Sequence, residues 1–250
     1  FAFDQYVNLR PAKLMEGVIT PLKTEEPIDF VVIREGTEGP YVGSGGFLAQ
    51  GTPREIAIEE NINSRFGVER VTRYAFERAM KRDKKKVTMV HKNNVQPYAG
   101  TLWTNIFNEI AAEYPSITAE YLHADAAAMF MVTNPERFDV VVTDNLFGDL
   151  LTDIAAAICG GIGLASSGNI NPEKKFPSMF EPVHGSAPDI TGKGIADPTA
   201  TIMSIALMLD HLGLHAAASD VEAAVARDLA SRGDKKRSTV EVGDALLAQL

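Results

Sequence analysis

The stretch from Val140 to Asp153 constrains the fold more than any other part of this 250-residue chain. It opens with V-V-V-T, a β-branched run that is typical of a buried strand. An amphipathic helix pattern follows, and in it Asp149 and Asp153 are four residues apart, so their carboxylates share one face. Carboxylates stacked in this way repel each other. A hard cation such as Mg²⁺ or Mn²⁺ would explain the pair, and ordinary solvated helix charges remain the alternative.

Strand and helix patterns mostly alternate from Ile28 to Ile158, which predicts an α/β fold. The predicted strands cover 6–9, 28–33, 87–90, 117–122, 140–143 and 179–183. The predicted helices cover 68–80, 102–114, 123–132, 145–158, 198–211 and 219–233, with a last helix from about 240. We expect 166–177 to be a polar loop. A capping box at Ser219–Glu222 predicts where the 219–233 helix begins.

Residues 41–63 predict a protruding β-arm whose first part, 42–51, is loop-like around a glycine cluster. Ile56, Ile58 and Ile62 fall on one face at strand spacing. An apolar arm with no core of its own usually packs against a partner chain. The arm therefore predicts that the protein binds a partner chain.

Charge and composition exclude several classes of protein. Apolar residues make up 45% and charged residues 23% of the chain, as in ordinary globular proteins. The net charge of −9 argues against a nucleic-acid binder, which needs a basic face. The one cysteine, Cys159, sits in an apolar run, which predicts a buried structural thiol and a cytoplasmic protein. The small-apolar run 155–165 is too short to span a bilayer, so we expect no membrane association.

Polar side chains follow several predicted strands, and ligands of open α/β sheets bind beyond the carboxyl ends of strands. These side chains are Arg10, Arg34, Tyr41, Lys92, Asp125, Asp149 and Asp153. Two arginines can each hold a carboxylate bidentately, three aspartates can hold a divalent metal, and a lysine beside a metal can act as a base. Together they predict a site for a small, metal-chelating substrate with several carboxylates. Taken singly, they would be surface ion pairs, an arm packing residue (Tyr41) and an exposed lysine.

The loop E-P-V-H-G-S-A-P-D-I (181–190) is rich in small residues, which let a backbone approach a nucleotide closely. It lacks the G-x-G-x-x-G pattern and so is not a Rossmann fingerprint. Asp189 could accept hydrogen bonds from both ribose hydroxyls and would repel a 2′-phosphate. A simple turn with Asp189 as a cap is the alternative.

Five blocks of sequence together resemble the metal-dependent β-decarboxylating dehydrogenases, the family of isocitrate and isopropylmalate dehydrogenases. The blocks are N-L-R-P (8–11), R-E-G-T-E-G-P-Y (34–41), H-K-N-N-V (91–95), D-N-L-F-G-D-L-L-T-D (144–153) and the 181–190 loop. The resemblance implies a large twisted mixed sheet flanked by helices, two subdomains and a homodimer with shared active sites. Residues 1–160 would form the central dimerisation, substrate and metal domain. Residues 161–250 would form the C-terminal part of the nucleotide-binding domain, whose N-terminal part we expect to be absent here.

Roles for individual residues follow from the resemblance. It implies that Arg10 and Arg34 bind the substrate carboxylates, that Tyr41 protonates the enol, and that Lys92 of the partner subunit is the base. It implies that Asp149 and Asp153 coordinate Mg²⁺ or Mn²⁺ with Asp125 of the partner subunit, which also faces substrate. The residues that resemble the NAD-binding loop are Glu181, His184, Gly185, Ser186, Ala187, Asp189 and Asp197.

Within the family the resemblance is strongest to enzymes acting on 3-isopropylmalate. It implies oxidative decarboxylation of that diacid to 4-methyl-2-oxopentanoate with reduction of NAD⁺, a step of leucine biosynthesis. We expect the helix that recognises the substrate's side chain in the family to be missing here, so related isocitrate, homoisocitrate and tartrate/malate-type dehydrogenases remain alternatives. A non-catalytic dimerising chain of the same fold is the other alternative, and the complete set of site residues argues against it.

Overall fold

A computed structural model describes residues 2–24, 26–233 and 236–250 as a twisted sheet with helices on both faces. The strands are β1 (Val7–Lys13), β2 (Asp29–Glu35), β3 (Gly45–Leu48), β4 (Ile56–Glu59), β5 (Lys86–His91), β6 (Thr118–His123), β7 (Val140–Thr143), β8 (Ser166–Ile170) and β9 (Met179–Pro182). The helices are α1 (Arg65–Met80), α2 (Pro97–Glu113), α3 (Ala124–Thr133), α4 (Asn145–Ile158), α5 (Thr199–His211), α6 (His215–Arg232) and α7 (Thr239–Leu247).

Seven strands form one mixed sheet in the order β6-β5-β7-β2-β1-β8-β9. The four strands from β6 to β2 run parallel, whereas β1, β8 and β9 join by antiparallel pairings. The sheet is continuous across residue 160, since β1 pairs directly with β8. This architecture confirms the predicted α/β class and mixed sheet.

The core follows from the alternation of side chains along the buried strands. In β7, Val140 and Val142 pack with Trp103 in the cluster under α1 and α2. Val141 faces the opposite way and packs with Leu151 in the cluster under α3 and α4. Because both faces are covered, the strand reads as an unbroken apolar run.

The predicted arm is present as a hairpin in which β3 pairs antiparallel with β4. Every residue of both strands is exposed, including Phe47, Leu48, Ile56 and Ile58. The expectation of a loop over 42–51 was wrong for Gly45–Leu48, which form β3. Strand pairing with β4 outweighs the low strand preference of the glycines.

Three sequence expectations about element ends need correction. β1 continues through Pro11; β8 pairs with β1 only as far as Leu9, so beyond that point β1 has an open side that tolerates a residue without an N–H. The expected loop at 166–177 begins with strand β8, because burial between β1 and β9 overrides weak strand propensity. α6 begins at His215, ahead of Ser219, and the capping box lies instead at Ser238, which caps α7.

Two expectations from composition concern the thiol and the membrane. Cys159 is buried at the end of α4, and burial raises the pKa of its thiol to about 12, so it is an inert structural residue as predicted. Among the helices of the described residues, none is both long and apolar enough to cross a bilayer.

Candidate active site

The register of three strands places a row of polar side chains on one face of the sheet. Asn8 on β1 lies opposite Arg34 on β2 and opposite Asn169 on β8. Arg10 follows Asn8 by two residues and so points to the same face. A cavity of about 300 Å³ opens above this row, and its lining residues are Asn8, Arg10, Arg34, Gly36, Tyr41, Asn145, Asn169 and Glu181.

Helix α4 carries the predicted metal ligands to the edge of this cavity. Asp144 starts the helix, since its carboxylate accepts a hydrogen bond of 2.8 Å from the backbone N–H of Phe147. One turn later Asp149 pairs with the guanidinium of Arg34 and accepts a 2.9 Å hydrogen bond from the Tyr41 hydroxyl. Asp153 follows four residues on and is exposed. The structure therefore brings Asp149 together with Arg34 and Tyr41.

Arg34 is fixed by contacts that the sequence did not single out. Its Nε donates a 2.8 Å hydrogen bond to Asn145 Oδ1, and the Asn145 amide donates to the Glu38 carbonyl at 3.0 Å. A Cβ at Gly148 would lie 2.5 Å from Arg34 Cγ. Helix α4 can pack this closely on Arg34 because residue 148 is glycine.

Arg10 is the second cation of the cavity. Its Nε donates to Asn8 Oδ1 at 2.9 Å, and its Nη1 donates to Thr152 Oγ1 at 3.2 Å. Burial, and then the nearby positive charge of Arg34, lower the pKa of Arg10 below its usual value. A carboxylate bound between the two guanidinium groups would relieve this repulsion, so the pair suits an anionic ligand.

Tyr41 is placed to hold a proton at the cavity. Partial burial, and then the hydrogen bond to Asp149, raise the pKa of its phenol. The hydroxyl therefore stays protonated at neutral pH and can act as a proton donor. Arg34 also lies over the Tyr41 ring, with Cζ 5.1 Å from the ring centroid.

Lys92 and Asp125 form a separate group. Lys92 Nζ lies 2.6 Å from Asp125 Oδ1, and the hydrogen bond from the lysine holds the pKa of that carboxyl below its usual range. The described residues lining the 300 Å³ cavity do not include either side chain. Nor do three histidine, cysteine or acidic side chains gather into a metal-binding group anywhere in the described ranges of one chain.

The 181–197 region forms a second, larger cavity of about 750 Å³. Five of the predicted dinucleotide residues line it: His184, Gly185, Ser186, Ala187 and Asp197. The described lining residues do not include Asp189, and Glu181 lines the smaller cavity instead. A Cβ at Gly185 or Gly194 would meet no described atom within 4 Å, so the loop leaves its backbone open to a ligand.

Asp197 is tied to the rest of the fold at the rim of this larger cavity. Its carboxylate accepts a 2.9 Å hydrogen bond from the Thr199 N–H and pairs with Arg232 at the end of α6. The start of α5 and the end of α6 therefore hold the side chain in place.

Four residues that contact the site had no role predicted from the sequence: Asn8, Asn145, Thr152 and Asn169. An asparagine inside a predicted strand is unusual, and this signal could have identified Asn8. Asn169 carried no such signal, because its segment was expected to be a loop.

Comparison with known proteins identifies the family to which the chain is similar. The family model described as isocitrate/isopropylmalate dehydrogenase matches residues 2–245. The 3-isopropylmalate dehydrogenase of Streptomyces coelicolor is 63% identical over 251 aligned positions, covering 100% of this chain and 72% of that protein. The protein of the same name from Beutenbergia cavernae is 63% identical over 250 positions, with the same coverage.

A solved structure shares the fold across nearly the whole chain. The isocitrate dehydrogenase from Methylococcus capsulatus superposes with a TM-score of 0.91 at 40% identity, covering 99% of this chain and 74% of that one. Sequence blocks, family model and fold therefore agree, and the chain belongs to the isocitrate/isopropylmalate dehydrogenase family.

Proposed function

We propose that this chain catalyses the NAD⁺-dependent oxidative decarboxylation of 3-isopropylmalate to 4-methyl-2-oxopentanoate, a step of leucine biosynthesis. The observation that carries the proposal is the 63% identity, across the entire chain, to relatives named 3-isopropylmalate dehydrogenase. Identity to the isocitrate dehydrogenase of known structure is lower, at 40%.

In this proposal, Arg10 and Arg34 bind the substrate. Both guanidinium groups face a cavity of about 300 Å³, a volume at the small end of ligand sites. Each arginine is also held by an asparagine side chain, so its orientation is set before the ligand arrives. A diacid can place one carboxylate on each.

The donor set fits a divalent metal only when two chains are combined. Asp149 and Asp153 on α4 are hard oxygen donors, as Mg²⁺ and Mn²⁺ require. Asp125 is the third donor of the proposal, and its side chain is 70% exposed and already paired with Lys92. Asp125 and Lys92 of the partner subunit would complete the site. A bound ion would supply Lewis-acid polarisation of the substrate's oxygens.

The surface around these residues supports a homodimer. Leu150 on α4 and Met129 and Val132 on α3 are large apolar side chains between 47% and 59% exposed. The hairpin arm adds a further exposed apolar surface in β3 and β4. Apolar side chains this close to the acidic residues favour burial against a second copy of the chain.

NAD⁺ would occupy the 750 Å³ cavity, whose size and small lining residues fit part of a dinucleotide. Asp189, at the start of the turn that follows Ala187, would favour NAD⁺ over a phosphorylated dinucleotide by charge repulsion. When bound there, NAD⁺ would supply the acceptor for the hydride of the substrate's hydroxyl-bearing carbon.

Two side chains of the protein, Lys92 and Tyr41, carry out the proton transfers of the proposed reaction. Lys92 of the partner subunit takes the proton from the substrate hydroxyl as the carbon is oxidised. CO₂ loss from the resulting β-keto acid leaves an enolate, and Tyr41 donates its phenolic proton to the enolate carbon to give the ketone, since the raised pKa keeps that proton in place until then. The arginine that binds the carboxylate that is not lost holds the intermediate in place until its protonation is complete.

An assay of NADH formation tests the proposal. The chain is supplied with NAD⁺ and, in turn, 3-isopropylmalate, isocitrate and tartrate, with Mg²⁺ or with EDTA. We expect turnover with 3-isopropylmalate that requires the metal and is lost in Asp149→Asn. Turnover with isocitrate but none with 3-isopropylmalate would assign the other substrate. Binding of NADH without turnover of any diacid would favour the non-catalytic alternative.

A further inference from the structure

A continuous line of side-chain hydrogen bonds crosses three strands beneath the smaller cavity. Arg10 Nε donates to Asn8 Oδ1 at 2.9 Å, and Asn8 Nδ2 donates to Asn169 Oδ1 at 2.6 Å. Asn169 Nδ2 in turn donates to Glu181 Oε1 at 3.0 Å. The line runs from β1 through β8 to β9.

The two ends of this line fix the orientation of both amides. Guanidinium groups only donate and carboxylates only accept, so Asn8 must present its oxygen to Arg10 and Asn169 must present its nitrogen to Glu181. Neither amide can flip without losing two hydrogen bonds. Asn8 is also 6% exposed, and partial exclusion of water strengthens such a network.

This line of hydrogen bonds connects the cavity proposed to bind the diacid with the strand that leads into the loop proposed to bind NAD⁺. Arg10 and Glu181 both line the 300 Å³ cavity. Glu181 lies on β9, and the chain runs directly from β9 into His184 and Gly185, which line the 750 Å³ cavity. A carboxylate that binds Arg10 would therefore act, through this line of hydrogen bonds, on the strand that enters the dinucleotide loop.

We propose that Asn169, together with Asn8, is a positioning residue that couples substrate binding at Arg10 to dinucleotide binding at the loop that follows Glu181. The inference rests on the proposed function, because it takes its two ligands from there. In this proposal neither asparagine touches the reacting atoms; Asn8 sets the position of the substrate-binding Arg10, and Asn169 sets that of Glu181, ahead of the dinucleotide loop.

The test measures the dissociation constant of NADH with and without saturating 3-isopropylmalate and Mg²⁺, by calorimetry on the full chain. In the wild type we expect NADH to bind at least about five-fold tighter in the presence of the diacid, the lower end of ordinary coupling between sites. Asn169→Leu keeps the size of the side chain and removes both hydrogen bonds, so we expect the ratio to fall to near one. Asn169→Asp keeps the bond from Asn8 but places a carboxylate against Glu181, and we expect the same loss of coupling.

Asn171→Leu is the matched control. Asn171 is buried just after β8, where its amide donates to the Asp4 carbonyl and its oxygen accepts from the Lys175 N–H, away from both cavities. We expect this variant to lower the melting temperature and to leave the coupling ratio unchanged. Thermal unfolding of each variant separates loss of coupling from loss of fold.

The outcomes separate the two proposals. A wild type that fails to bind either NADH or 3-isopropylmalate contradicts the proposed function. A wild type that binds both ligands independently contradicts the positioning role alone. The same holds if Asn169→Leu and Asn169→Asp weaken both ligands in parallel and keep the wild-type ratio, because a purely structural residue would behave in that way.

Discussion

The phenol of Tyr41 donates a 2.9 Å hydrogen bond to Asp149 Oδ2, across 108 residues of sequence. The other oxygen of that carboxylate pairs with Arg34. One aspartate on α4 thus contacts both the proposed proton donor and a proposed substrate arginine. In the proposed function, Asp149 would therefore link the proton donor, a substrate-binding arginine and the metal.

Replacing Tyr41 with phenylalanine removes the proton and keeps the ring. Because Tyr41 acts after CO₂ loss in the proposed function, we expect kcat to fall by about 10²–10⁴-fold, whereas KM for the diacid should change little. Steady-state kinetics of NADH formation measure both. Tyr98→Phe is the control, since Tyr98 is 92% exposed on α2, and we expect it to match the wild type. An unchanged kcat in Tyr41→Phe would remove the tyrosine from the mechanism.

Gly148→Ala tests the packing of α4 on Arg34. The new Cβ would lie 2.5 Å from Arg34 Cγ and 2.8 Å from Arg34 Cβ, atoms too close to the backbone to swing away freely. We expect a loss of about 1–3 kcal/mol in the free energy of unfolding, together with a higher KM for the diacid. Urea unfolding and kinetics measure the two effects.

Gly243→Ala is the control for that substitution. A Cβ at Gly243, in the interior of α7, would meet no described atom within 4 Å. We expect it to raise stability by about 0.4–1 kcal/mol, because alanine restricts the unfolded chain and suits a helix. Equal effects of the two substitutions would show that contact with Arg34 is not the cause.

His91 and Asp144 form a buried pair, and their contributions to the free energy of unfolding change with pH in opposite directions. His91 Nε2 lies 3.4 Å from Asp144 Oδ2, and within the described structure neither of these two atoms has a hydrogen-bond partner. Burial lowers the pKa of His91 from 6.5 to about 4 and raises the pKa of Asp144 from 3.8 to about 6. The histidine therefore makes stability rise with pH over this range, whereas the aspartate makes it fall.

Replacing either residue alone should reveal the pH dependence of stability that the other residue contributes. In Asp144→Asn, which keeps a helix-capping side chain, we expect stability to rise by up to about 3 kcal/mol between about pH 4 and pH 6.5. In His91→Phe we expect stability to fall by a similar amount between about pH 4 and pH 6. Urea unfolding across this pH range checks both, with the wild type expected to vary less than either. Three parallel profiles would contradict the account.

Much of the site could be predicted because strand ends are easily read from sequence. The run at Val140–Thr143 and the helix after it appear where the pattern places them, and Arg10, Arg34 and Tyr41 line one cavity. These three residues lie close together because parallel strands end at a common edge of the sheet and because β1 pairs antiparallel with β2.

What the sequence could not supply was tertiary pairing. Ser166–Ile170 has the composition of a loop and becomes a strand only because β1 and β9 flank it, so the bridge through Asn169 was invisible. Pro11 likewise sits inside β1 because of where β8 stops. The local sequence preference for strand or loop does not show which strands will lie beside a segment in the sheet.

Mixing inactive variants tests most directly whether the active site is shared between two subunits. A Lys92→Ala chain cannot contribute the base to its partner's active site. An Asp149→Ala chain lacks a metal ligand in its own active site. A mixed dimer would hold one intact site, so unfolding and refolding an equal mixture should restore about a quarter of wild-type activity by random pairing. Lys92→Ala mixed with Asp125→Ala should restore none, because both residues would be lent by the same subunit. No recovery in the first mixture, or equal recovery in both, would contradict the shared site.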